Sequence, residues 1–131
     1  MYALTDEQFD TLITRAMDEL PQEYIRGLQN VAIVMADAPD EHQQSQSGLR
    51  EGHILLGLFE GVPRIAQTGN ESGLLPSKIT IFKHALLMIT DDEHSLFEQI
   101  KRTLWHEIAH YYGLDHSRIH HLESHPKPPR Q

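Results

Sequence analysis

The chain's 131 residues suffice for one domain and are too few for two of ordinary size. With no cysteine, disulfides, thiolate-held zinc and thiol nucleophiles are excluded; a metal would have to be held by His, Asp or Glu, and ten histidines are present. Eleven Lys and Arg against nineteen Asp and Glu give a formal charge of -8, which argues against a nucleic-acid partner, and no apolar run approaches the roughly 20 residues of a membrane span.

The opening MYALTDEQFD is acidic and lacks an apolar export segment, so a cytoplasmic location is expected. Thr5 to Gln8 has the form of a capping box, and Phe9, Leu12, Ile13, Ala16, Met17 and Leu20 follow with the spacing of one helical face. Pro21 is suited to open a short second helix running to Leu28. The β-branched run Val31 to Ala36 reads as a strand buried on both faces, and polar, aperiodic Asp37 to Gly48 reads as a loop. A second strand is expected over His53 to Phe59, closed by a turn at Glu60-Gly61-Val62-Pro63, and a second polar loop over Gln67 to Gly73. Lys78 to Lys83 alternates polar and apolar as a half-buried strand does, at or near a sheet edge. Thr90 to Glu93 repeats the capping-box form, and Leu96, Phe97, Ile100, Leu104 and Ile108 supply the stripe of a long helix ending at Gly113. A short helix is expected to resume near Asp115 and to include Ile119 and Leu122. The expected domain spans residues 1–124, with a disordered tail at 125–131.

The chemistry is carried by His106-Glu107-Ile108-Ala109-His110-Tyr111-Tyr112-Gly113-Leu114-Asp115-His116, which reads H-E-x-x-H-x-x-G-x-x-H. Residues four apart on a helix lie about 40° apart around the axis and about 6 Å apart along it, so His106 and His110 can face one ion. Glu107 lies about 100° further round, the position of a general base acting on a water at the metal. Gly113 can turn left-handed and bring His116 back as a third ligand, leaving the fourth position of a zinc ion to water. The reaction class that follows is metal-assisted hydrolysis of an amide, with Glu107 passing the proton to the leaving amine. Given the composition, H-E-x-x-H alone would arise by chance in roughly one chain in twenty, and the extended string in roughly one in several thousand.

On these residues, together with Leu55 to Pro63, Ile79 to Phe82 and Trp105 to His110, the chain resembles the small bacterial zincin-like metallopeptidases. That resemblance implies a minimal zincin-like α+β fold, with a small three- to four-stranded sheet packed against helices. It also implies zinc on the motif helix and activity on a peptide or protein substrate. Family members usually carry Asp or Glu where this chain has His116, so the ligand role of His116 rests on chemistry, and Asp115 is the nearest carboxylate that could replace it. The string is also similar to the metzincin signature, but no methionine follows position 88 to make the methionine turn. Bacterial ribosomal-RNA maturation endoribonucleases share the three-histidine spacing yet lack a glutamate after the first histidine, which leaves a zinc endoribonuclease as the alternative reading. A metal-binding interaction module without turnover is a further alternative.

Other candidates have simpler explanations. His120, His121 and His125 decorate the tail, and His53 and His84 read as structural histidines beside strands. Tyr111 and Tyr112 are expected to pack, and Trp105 to lie in the core. By analogy with zincins, Lys78 to Lys83 or Leu55 to Phe59 could pair with an extended peptide along a sheet edge.

Overall fold

The computed structural model describes residues 4–47, 54–61 and 76–113 of the chain, and the architecture is α+β. Its elements, in order, are α1 (Asp6–Glu19), α2 (Gln22–Arg26), β1 (Val31–Ala36), α3 (Glu41–Ser47), β2 (Gly57–Glu60), β3 (Ser77–Phe82), α4 (Lys83–Met88) and α5 (Glu93–Tyr111). The expected tail at 125–131, the short helix near Asp115, the Gln67 to Gly73 loop, His53, His120, His121 and His125 all lie outside the described residues.

α1 begins as its sequence predicts. Thr5 accepts from the backbone of Gln8, and the Gln8 side chain accepts in return from the backbone of Thr5, satisfying two donors that the first turn cannot pair internally. Its apolar stripe of Phe9, Leu12, Ile13 and Ala16 is buried, and it packs against α5, whose Leu96, Phe97, Ile100, Leu104 and Ile108 join the same core. α2 starts after Pro21, as expected.

The sheet has the order β1-β3-β2, with β1 parallel and β2 antiparallel to β3. Ile79 and Ile81 of β3 enter the core shared with α1 and α5, as do the partly buried Ile33, Met35 and Phe59 of the flanking strands. The paired register places these residues on one face of the sheet, so the two long helices cover that face.

Two strand expectations are corrected. β3 is the central strand, hydrogen-bonded on both sides, where its alternation predicts an edge. The alternation misleads because Thr80 is buried along with Ile79, Ile81 and Phe82, leaving Lys78 as the exposed residue of the strand. Conversely, the apolar run of β1 predicts burial on both faces, yet the strand has a neighbour on one side among the described residues, and Ala32 and Val34 are exposed. That run reflects β-propensity and short side chains more than two-sided burial.

Elsewhere the elements depart locally from expectation. Within the expected Asp37 to Gly48 loop lies α3, opened by Asp40 accepting from the backbone of Gln43 at 2.7 Å while Gln43 accepts from the backbone of Asp40 at 3.1 Å. The second strand begins at Gly57 instead of His53, and α4 follows β3 without a loop. α5 is capped by Asp92 with Ser95, because Thr90 turns inward and donates its hydroxyl to the Leu86 carbonyl at 2.8 Å.

Candidate metal centre

α5 carries the whole H-E-x-x-H segment on a regular helix, as the spacing requires. The C-terminal turns are fixed by aromatic packing. Trp105 meets Tyr24 edge to face at 5.2 Å, Tyr111 is buried, and the Tyr112 hydroxyl donates to the Tyr24 carbonyl at 2.7 Å. Trp105 and both tyrosines therefore serve as the packing residues the sequence suggests.

His106 and His110 project from the part of α5 that the core leaves open, each intermediate in exposure. Their ring centroids are 5.1 Å apart with planes at 87°. Two imidazoles bound tetrahedrally to one zinc through bonds of about 2.1 Å would have centroids about 5.2 Å apart. The pair thus fits half of a zinc site in donor type, spacing and access.

Glu107 follows a different course from its neighbours. It is buried, 7% exposed, on the side of α5 that meets β2, and its Oε1 lies 3.1 Å from His110 Nδ1. With the proton on Nδ1, His110 donates to Glu107 and keeps the Nε2 lone pair for a cation, the arrangement by which a carboxylate commonly orients a metal-binding imidazole. The same hydrogen bond raises the His110 pKa above its ordinary 6.5; partial burial works against the shift and the Glu107 charge adds to it.

At the helix end, Gly113 has φ 76°, and its N–H donates to the His110 carbonyl at 3.0 Å. This is the left-handed turn expected of that glycine, and it bends the chain immediately after the His110 turn. His116 and Asp115 lie outside the described residues, and among the described residues no group of three metal-binding side chains converges. His84 sits exposed on α4.

β2 supplies the wall beside the motif. The Phe82 N–H donates to the Leu56 carbonyl at 3.0 Å, which fixes Leu56, Leu58 and Glu60 as the positions bonded to β3. Gly57 and Phe59 therefore direct their backbone groups away from β3; Phe59 is part-exposed, and Gly57 is buried against α5. The far end of the strand is held by α3, where Gln43 Nε2 donates to Glu60 Oε1 at 3.0 Å. Of the two segments considered for peptide pairing, β2 is at an edge of the sheet among the described residues and β3 is not. The sequence reading does not single out Gly57 as a site residue, although a glycine inside a strand pattern is a sign of close backbone approach.

A family model described as zincin-like metallopeptidase matches residues 28–125. Among solved structures, a conserved hypothetical protein from Thermus thermophilus is 29% identical, with a TM-score of 0.51, 92% of this chain and 95% of that chain being covered. No curated protein matches the chain. With a helix-borne pair of histidines, a buried glutamate between them and a family match over most of its length, the chain belongs to the zincin-like metallopeptidases.

Proposed function

We propose that this protein is a zinc-dependent peptidase in which His106, His110 and His116 hold the metal and Glu107 is the general base. The observation that carries the reading is the 5.1 Å spacing of two solvent-reachable imidazoles on one turn of α5, with the Glu107 carboxylate beside the second. Bound zinc would polarise the scissile carbonyl and ease deprotonation of the attacking water. The Glu107 carboxylate, with Oε1 held by His110 Nδ1, would accept the proton of that water on Oε2 and deliver it to the leaving nitrogen. His110 keeps the Glu107 carboxylate oriented through Nδ1, and the buried setting against β2 limits its freedom.

A peptide would lie in an extended conformation along the outer side of β2, pairing first with the backbone groups of Phe59 that face away from β3. Membership of a metallopeptidase family and the net charge of -8 both favour a peptide over RNA as the substrate. The test is elemental analysis of the purified protein followed by cleavage of denatured casein. One zinc per chain is expected, and Glu107→Gln should retain the zinc while abolishing cleavage. A protein that holds no transition metal after zinc loading, or a Gln variant that cleaves as well as the parent, would overturn the reading.

A further inference from the structure

We propose that Gly57 is a positioning residue for Glu107: its bare Cα lets the motif helix seat directly on the edge strand and so sets where the carboxylate stands. The inference rests on Glu107 being the general base. Gly57 is paired with Ile81 of β3, and the described glycines with positive φ are Gly61 and Gly113, so the backbone at 57 is open to any residue. What excludes a side chain is space.

A Cβ at position 57 would lie 2.7 Å from Thr103 Cγ2, 3.2 Å from the Thr80 carbonyl oxygen and 3.5 Å from Glu107 Cγ. The first distance is well inside carbon–carbon contact, and neither close neighbour can step aside cheaply. Thr103 is buried and β-branched in the middle of a helix, where its χ1 choices are few, and Thr80 contributes backbone of the central strand. The relief available is for α5 to lift away from β2.

Thr103 and Glu107 are one turn apart on the same side of α5, so a lift at Thr103 carries Glu107 with it. His106 and His110 ride on the same helix and would be carried along, while the Glu107 side chain, no longer held against Gly57, would be free to turn away from His110 Nδ1. The distance that changes is the one between this catalytic face and the strand on which a substrate pairs. Toward α1, by contrast, α5 presents large side chains of its own such as Leu96 and Ile100, which share the core with Phe9 and Leu12 of α1. Of the described glycines that approach α5, Gly57 is the one whose added Cβ would reach Glu107.

The test compares Gly57→Ala, Thr103→Ser, the double variant and Glu107→Gln. Two readouts are used: casein cleavage by the zinc-loaded proteins, and the ring-nitrogen NMR signals of His110 in the zinc-free proteins at one fixed pH. Gly57→Ala should lower kcat on the order of 10- to 100-fold while KM stays within about threefold, because misplacement by about 1 Å is costly to rate and Phe59 still pairs. Its His110 signals should move toward those of Glu107→Gln as the Nδ1 contact loosens. Thr103→Ser removes the methyl that the new Cβ would meet, so the double variant should regain most of the lost rate and the parental signals.

Unchanged kcat and unchanged His110 signals in Gly57→Ala would overturn the proposal, as would a loss that Thr103→Ser does not relieve. If Gly57→Ala fails to fold, the double variant decides: parental signals support the proposal, and altered signals or a second failure to fold overturn it. Cleavage by Glu107→Gln at the parental rate would instead remove the base assignment, while the His110 signals would still report whether Gly57 sets the approach.

Discussion

His110, held by Glu107, has a protonation with opposite consequences for the apo fold and for metal binding. The folded pKa of His110 is raised above 6.5 by Glu107, so the stability gained from that contact is fully present below 6.5 and is lost as pH rises through the raised value. Zinc needs the neutral ring, so its affinity should change the other way, weakening as pH falls through the same interval. Calorimetric zinc titrations between about pH 6 and pH 8 should show that weakening, and Glu107→Gln should shift its onset to lower pH. Thr80 offers a separate test. Among the described residues its buried hydroxyl has no hydrogen-bond partner, so Thr80→Val should stabilise the protein by about 1 kcal/mol, read as a higher urea midpoint. The histidines and Glu107 are legible in the sequence because helical geometry alone sets their spacing. Gly57 and Thr80 are not, because their importance arises where β2, β3 and α5 meet, and no local pattern records that meeting.

Among the elements, α5 has the most explicit start signal. The Ser95 backbone N–H donates to Asp92 Oδ1 at 2.8 Å, and this bond, aided by the Ser95 side chain, holds the Asp92 carboxyl below its ordinary 3.8. A depressed carboxyl pKa stabilises the fold above 3.8, and that contribution disappears as pH falls through the lowered value. Asp92→Asn keeps a capping oxygen without the titration, so its stability should fall less steeply with acid below about pH 4, as followed by helical circular dichroism in urea. Helices with capping boxes and strong stripes, α1 and α5, are readable from sequence to within a residue or two. α3 is hidden by its polar composition, although Asp40 and Gln43 form the same kind of box. The strands can be located from their residues but not ranked within the sheet, since edge or centre depends on which chain segments arrive as neighbours.

At the scale of the molecule, the helices and sheet share one core, and Phe9 of α1 is fully buried within it. Phe9→Ala should cost about 3–5 kcal/mol, measurable as a lower urea midpoint, without altering the chemistry of the histidine pair. Lys83 reinforces the same junction by pairing with Asp6 at 2.7 Å, which joins the first turn of α1 to α4. The family match begins at residue 28, after α1 has ended at Glu19. The fold does not start there, since α1 covers α5: a fragment trimmed to the recognisable motif-bearing span would leave the back of its own motif helix greasy and wet, and should be recovered as aggregate instead of folded protein.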